Sequence, residues 1–372
     1  MTNGDSCSKK DRIPVDLVVG RPLDHTTGIG RFVQEIVANY TRVDPRIIDF
    51  RPPSYLRPAA KVGSLAYFPH KVRSQSRKDS VLHFTSQIQA HVLNFYRLRP
   101  SVVTCHDFFP AISSEHPISD RVAVRLGLRG LLRADKICSV SHYVKEELQK
   151  HLPIDPSKIE VIHSGVDHRR YVPFSDREKV RHAIGLPTKK IIFLYVGSEQ
   201  PRKNLPLLMR ALGHLKKMGL DFILVKIGIP QWKGGRKQTL EAAKRNGVDD
   251  KILLLDSVNE IDMPKYYQSA DAFAFPSLYE GFGLPLLEAM ACGCPVLALR
   301  RTSIPEVVGD AGILVEEDNP VAFAEALAKI VEDDDLKKKL SSKGIARSSQ
   351  FSWEVAAQKY EDIYEQLLGG DC

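Results

Sequence analysis

Two carboxylates, Glu280 and Glu288, lie eight positions apart and enclose Gly281-Phe282-Gly283-Leu284-Pro285. Pro285 suits the first turn of a helix, and the glycines suit a tight loop before it. That places Glu280 on a loop and Glu288 about one turn into the helix, both toward one cavity. Paired carboxylates either exchange protons as acid and base, as in glycoside hydrolysis, or hydrogen-bond sugar hydroxyls. A second segment, Gly197-Ser198-Glu199-Gln200-Pro201-Arg202-Lys203-Asn204, runs from a strand end into a helix. Cations at a helix N-terminus oppose the helix dipole. An anion bound there resolves the conflict, and a diphosphate suits Arg202 as a bidentate grip and Lys203 as a point charge. His106-Asp107 closes an apolar run at Val102–Cys105. Gly28-Ile29-Gly30 follows the first apolar run. Val33 stands where a dinucleotide fingerprint has its third glycine, which disfavours a nicotinamide dehydrogenase. Gly28 and Gly30 either form a tight turn or let a phosphate or sugar approach a helix N-terminus.

The elements that position these groups alternate. Val15–Gly20, Ser80–Phe84, Val102–His106, Lys136–Val140 and Ile159–His163 read as strands, with helical patterns between several of them. The pattern weakens around Arg169–Pro187, which reads as a boundary. It then restarts with strands at Ile191–Gly197, Phe222–Gly228, Ile252–Leu255, Ala272–Pro276, Pro295–Leu299 and Gly312–Val315. Helices are expected at Leu205–Lys217, Gln238–Asn246, Met263–Ser269, Pro285–Ala291, Pro320–Glu332, Asp335–Arg347 and Trp353–Leu368. This βαβ rhythm predicts an α/β chain with two doubly wound parallel halves, residues 1–175 and 188–350. Such sheets bind ligands outside the carboxyl ends of their strands. Two facing sheets predict a main site in the cleft between them.

Length agrees with two domains: the chain has 372 residues, 43% hydrophobic and 26% charged. The formal charge of +8 is uneven. Residues 1–180 hold 28 basic and 19 acidic groups, and residues 181–372 hold 25 and 26. The surplus therefore points to an anionic partner for the first half. Met1 to Pro14 has no apolar core of a signal peptide, and no apolar stretch is long enough to span a bilayer. A reduced, cytoplasmic protein is the expectation. Cys292-Gly-Cys294 is too close for zinc spacing. Asp333-Asp334-Asp335 reads as a solvated turn, and no metal site is expected.

Glu280 through Glu288, with the intervening Gly-Phe-Gly-Leu-Pro, resembles the E-x7-E motif of retaining nucleotide-sugar glycosyltransferases of family 4. Pro201-Arg202-Lys203-Asn204 and His106-Asp107 resemble further family motifs in matching order. The resemblance covers nearly the whole chain and is strongest over 190–315. It implies a GT-B fold, with a C-terminal donor domain, an N-terminal acceptor domain, and a final helix (351–368) packing back on the latter. It implies that Arg202 and Lys203 hold the diphosphate, that Glu288 binds the ribose and that Glu280 lies at the donor sugar. Gly197, Gly281, Phe282, Gly283 and Leu284 would contact the donor, and Val258 would frame the base. His106 would lie by sugar and acceptor, and Gly28 and Gly30 would close over the phosphates. The chain departs from the family at Ser198, where many members carry Arg, and at Ser164, where many carry Asn. No cofactor and no metal is implied beyond the GDP- or UDP-linked donor.

The acceptor is read from the basic half. Arg121, Arg125, Arg129 and Arg133 recur every four residues beside Val122, Val124, Leu126, Leu128, Leu131 and Leu132. On a helix this stripe suits an anionic membrane surface. Gly127 and Gly130 weaken that helix. Tyr55–Lys78 adds Arg57, Lys61, Lys71, Arg73, Arg77 and Lys78 as sites for a lipid-diphosphate or phospholipid acceptor. The expected activity is hexosyl transfer, with mannose preferred, to a glycan or lipid-linked acceptor. A nucleotide-sugar epimerase or hydrolase on the same plan is the alternative. A nucleic-acid binder is the third reading, and the absence of an aromatic recognition module argues against it.

Overall fold

The computed structural model describes residues 12–20, 28–49, 60–108, 118–174 and 176–369, with side chains omitted for 60–66 and 118–120. Contacts divide the chain into two units. One ends at Gly165 and resumes at Trp353; the other is Val166–Ser352.

The first unit holds six parallel strands: β1 (Ile13–Val19), β2 (Val43–Asp49), β3 (Val81–Phe84), β4 (Ser101–Cys105), β5 (Lys136–Ser139) and β6 (Ile159–Val161). Their order is β2-β1-β3-β4-β5-β6. The second unit holds β7 (Ile191–Val196), β8 (Phe222–Ile227), β9 (Ile252–Leu255), β10 (Ala272–Phe275), β11 (Val296–Leu299) and β12 (Gly312–Val315), in the order β12-β11-β10-β7-β8-β9. The apolar runs form these strands because a parallel sheet buries both faces under helices, so no alternation is needed. Phe193, Leu194, Phe273, Phe275 and Leu297 are fully buried. Leu208 and Leu212 of helix Leu205–Lys217 and Phe323 and Leu327 of helix Pro320–Glu332 form one core cluster with Phe193 and Leu297.

The order of the second sheet reverses direction between β7 and β10. The carboxyl ends of strands at such a reversal are where open α/β sheets bind ligands. The segments Gly197–Asn204 and Ser277–Gly283 are the loops that leave β7 and β10.

Helix Trp353–Gly369 belongs to the first unit. Its Tyr364 hydroxyl shares hydrogen bonds of 2.7 Å with Tyr40 Oη and with His83 Nδ1, and Tyr360 meets Thr104 Oγ1 at 2.8 Å. Glu361 is 1% exposed and accepts the Thr41 and Arg42 amides at 2.6 and 2.7 Å.

Four sequence expectations change. The boundary expected around Arg169–Pro187 lies within the second unit, where the buried Arg181 of helix Arg177–Ala183 donates to Asp271 Oδ2 at 2.6 Å and to Ser269 O at 2.9 Å. Strand β2 has no apolar run to announce it: Pro45 interrupts it, which only an edge strand tolerates. Gly127 and Gly130 do not break helix Ile118–Leu131. A Cβ on them would stand 2.4 Å from Gln87 O and 1.8 Å from Ala90 O, so close packing is what they serve. Some of the described cations of 55–78 are engaged inside the unit, while Lys78 is exposed. Arg77 pairs with Asp16 and Asp44, Lys71 with Asp49, and Arg73 lies over the Tyr96 ring. Arg57 and the side chain of Lys61 lie outside the described residues.

Candidate functional site

The Gly197–Asn204 loop rises from β7 into a single 3-10 turn, Pro201–Lys203, ahead of helix Leu205–Lys217. Asn204 closes the turn with φ 54, and its Nδ2 donates to Asp318 Oδ1 at 3.0 Å. Arg202 O accepts the Leu278 amide at 2.8 Å, which ties this loop to the one leaving β10. Lys203 Nζ donates to Glu280 Oε1 at 2.6 Å. Arg202 Nη1 donates to Tyr279 O at 2.9 Å and approaches Glu280 Oε2 at 3.4 Å. The two cations expected to need an anionic ligand therefore have a protein anion already, and the trio carries a net charge of +1.

Glu280 is buried, which by itself raises its pKa; Lys203 first and then Arg202 outweigh burial and hold the carboxyl below its ordinary value. It is ionised at neutral pH and cannot serve there as a proton donor. Its backbone is fixed as firmly. Glu280 N donates to Thr302 Oγ1 at 3.0 Å, and Ser303 Oγ donates to Glu280 O and Phe282 O, both at 3.0 Å. Thr302 has φ 50, a left-handed conformation costly for a β-branched residue and typical of an over-determined functional site.

Gly283 has φ 109 and caps helix Leu284–Ala291, one residue earlier than the sequence pattern places it. Gly281 and Phe282 are buried, and the Phe282 ring meets Phe351 edge-on at 5.9 Å. Glu288 is 4% exposed and accepts the Tyr267 hydroxyl at 2.6 Å. The two glutamates thus have separate partners: Glu280 has cations, and Glu288 has a phenol. Gly197 sits where β7 ends, with its N–H on Ile227 O at 2.9 Å. Val258 is half-buried in the loop after β9. All of these belong to the second unit.

In the first unit, His106 follows β4. Its Nε2 lies 2.8 Å from Thr85 O, and a carbonyl only accepts, so Nε2 carries the proton and Nδ1 keeps its lone pair. Burial lowers its pKa to about 4 against the opposing pull of the Thr85 bond. Gln87 braces the same corner: its Oε1 accepts the His106 amide at 3.2 Å and its Nε2 donates to Asp107 O at 2.8 Å. Phe32 meets the His106 ring edge-on at 4.9 Å. Gly28 and Gly30 are the first and third residues of helix Gly28–Ala38, and a Cβ on Gly28 would meet nothing within 4 Å. The backbone thus does not demand glycine at position 28.

Tyr267, Thr302, Ser303 and Gln87 escaped the sequence reading, since each acts through a long-range hydrogen bond that no local spacing announces. Asp333 caps helix Asp334–Ser348, its side chain accepting Leu336 N at 2.9 Å, so the Asp run is a helix start.

Two doubly wound parallel units with this order define the GT-B fold. Sucrose-phosphate synthase from Thermosynechococcus elongatus superposes with a TM-score of 0.80 at 20% identity, covering 97% of this chain and all 100% of that one. HepE from Anabaena, in complex with UDP-glucose, gives 0.80 at 19% identity over 96% and 100% of the two chains. Residues 176–347 match the family Glycosyl transferases group 1, and residues 18–170 match Glycosyltransferase Family 4. O-antigen chain mannosyltransferase B of Escherichia coli is 33% identical over 288 residues, 74% of each chain. The D-inositol 3-phosphate glycosyltransferase of Streptomyces bingchenggensis is 31% identical over 245 residues, 64% of this chain and 54% of that protein. The match thus spans about half the length of that relative. The chain belongs to the family 4 glycosyltransferases.

Proposed function

We propose that this protein transfers a hexose, mannose by preference, from a GDP- or UDP-linked donor to a glycan or lipid-linked acceptor, with retention and without a metal. One observation carries the reading: Arg202, Lys203 and an ionised Glu280 converge where the second sheet reverses order. Two cations against one carboxylate leave positive charge for a diphosphate. The relative named as a mannosyltransferase supports the sugar, and the neighbour solved with UDP-glucose supports a nucleotide-linked donor.

The chemistry breaks the bond from the anomeric carbon to the phosphate and forms the acceptor bond on the same face. The acceptor hydroxyl's proton passes to the departing phosphate oxygen. Arg202 and Lys203 stabilise the negative charge that grows there, electrostatic catalysis aimed at the leaving group. Glu280 accepts hydrogen bonds from donor-sugar hydroxyls, Glu288 from the ribose, and the loop Gly281–Leu284 contributes backbone groups. Val258 frames the base. Neutral His106 offers Nδ1 to a sugar or acceptor hydroxyl. On helix Ile118–Leu131 and just past it, Arg125, Arg129, Arg133, Val122 and Leu132 are exposed, a face suited to an anionic membrane presenting the acceptor.

A thermal-shift screen of UDP-, GDP- and ADP-sugars tests the donor, since a ligand at about a hundred times its Kd adds ~2.7 kcal/mol of apparent stability. A rise with GDP-mannose or a UDP-hexose is expected. No shift with any nucleotide sugar overturns the reading. Co-sedimentation with phosphatidylglycerol vesicles at low salt tests the membrane face, and protein left wholly in the supernatant removes it.

A further inference from the structure

A buried ion pair beneath the β7 loop has no part in the chemistry above. Lys226 of β8 is 0% exposed and Glu199 is 3% exposed. Lys226 Nζ donates to Glu199 Oε1 at 2.6 Å and also to the Gly228 carbonyl. Arg236 Nε donates to the same carboxylate oxygen at 2.8 Å, and its Nη2 donates to Asp256 Oδ1 at 2.5 Å. Glu199 follows β7, Gly228 follows β8 and Asp256 follows β9. One network therefore ties the carboxyl ends of three adjacent strands.

A lysine wholly inside a sheet core is costly. Burial lowers its pKa; the Glu199 carboxylate, and more weakly Asp256, work against that. An apolar pair of similar volume would fill the space without that cost. The backbone around the pair is as constrained as the side chains. Glu199 N donates to Pro230 O at 3.1 Å. A Cβ on Gly228 would stand 2.5 Å from Gly197 O, and one on Gly235 would stand 2.6 Å from Glu199 O. The loop is thus clamped immediately before the Pro201–Lys203 turn, and Arg202 and Lys203 on that turn reach Glu280.

We propose that Glu199 and Lys226 are positioning residues: they fix the exit of β7 so that Arg202 and Lys203 meet the donor diphosphate. This rests on the donor reading above. It separates specificity of geometry from stability of fold, because a charged pair holds the loop at one distance and direction, whereas apolar side chains fill the same volume without directing it. Both side chains are buried and bonded to one another.

Three variants and four readouts decide it. Lys226→Met leaves Glu199 buried without its lysine and is expected to lower Tm by about 10 °C. The double variant Glu199→Leu with Lys226→Met removes both charges, and its Tm is expected to return close to the starting value. Its kcat/KM for the nucleotide sugar is nevertheless expected to stay reduced on the order of 100-fold, the scale of a misplaced catalytic group. GDP or UDP affinity, read by calorimetry, is expected to fall with it. A double variant with restored Tm and unreduced kcat/KM shows a merely structural pair and overturns the proposal. Should the double variant not fold, Glu199→Gln keeps the shape and removes the charge. Amide exchange over residues 200–204 is then expected to quicken, and unchanged exchange with unchanged nucleotide affinity overturns the proposal equally. Absence of nucleotide binding by the unsubstituted protein would sink the donor reading itself, an outcome distinct from a double variant that binds normally.

Discussion

At the residue scale, charge compensation governs the candidate site. Lys203 and Arg202 hold Glu280 ionised, so Glu280 acts as an acceptor of hydrogen bonds and not as an acid. Lys203→Ala is expected to lower kcat/KM by more than about a hundredfold, the scale of losing one preorganised donor at a developing anion. The same change strips Glu280 of its shortest hydrogen bond, so stability is expected to fall by about 2 kcal/mol. Kinetics are therefore to be read well below the variant's Tm, and near-normal turnover there would remove Lys203 from the proposed chemistry. Tyr267→Phe deletes the 2.6 Å donor to the buried Glu288. A loss of about 2 kcal/mol is expected from urea unfolding, since taking a donor from a buried acceptor costs that acceptor's desolvation. A wholly neutral change would show that Tyr267 does not support Glu288.

At the element scale, close packing overrides propensity. Helix Ile118–Leu131 keeps two glycines that cost it intrinsic helicity, because the carbonyls of Gln87 and Ala90 occupy the place of any Cβ. Gly130→Ala is expected to destabilise the first unit by at least ~3 kcal/mol, at or beyond the upper end of overpacking costs, because the neighbouring atom is backbone and cannot rotate away. Gly28→Ala is the contrast. Its Cβ would enter open space at a helix start, so Tm is expected to hold or rise, within about 1 kcal/mol. Equal losses at the two positions would defeat the packing explanation. Pro45 in β2 and Pro285 in helix Leu284–Ala291 follow the same logic, each placed where its missing N–H is not needed.

At the scale of the whole molecule, the chain leaves its first unit at Gly165 and returns to it at Trp353. The returning helix brings Tyr360, Glu361 and Tyr364 to polar groups of β3, β4 and the Tyr40–Arg42 segment. Glu361→Ala orphans two backbone amides and is expected to cost about 3 kcal/mol in the first unit's unfolding. The same unit makes the protein sensitive to acid. Burial lowers the pKa of His83 to about 3, with His106 adding to the effect, and burial lowers that of His106 to about 4. In the unfolded chain both titrate near 6.5. Between those values the unfolded state binds more protons, so stability falls as pH drops below about 6.5 and the loss ends near pH 3. Tm measured from pH 7 to 4 is expected to decline, and His106→Gln to decline less steeply. An identical slope in that variant would show that His106 does not carry the effect.

Much of this protein is written along the chain. Continuous apolar runs such as Ile191–Val196 suit strands of a doubly covered parallel sheet, being short and rich in β-branched and aromatic residues. The loop Gly197–Asn204 and the pair Glu280 and Glu288 were legible because turn chemistry and helix starts are local, set by glycine, proline and a few charges within reach of one another. The boundary read around Arg169–Pro187 falls inside the second unit for the complementary reason: the charges there suggest a linker until Arg181 is folded against Asp271, far along the chain. Likewise Lys71 and Arg77 of the basic segment read as ligand cations until Asp49, Asp16 and Asp44 are folded against them. Only the tertiary structure decided that Lys203 meets Glu280, that Tyr267 meets Glu288 and that Lys226 lies in the core against Glu199. Local spacing fixes which backbone conformations are cheap, but the partner of a buried charge is chosen by the strand order that brings distant loops to one edge of a sheet.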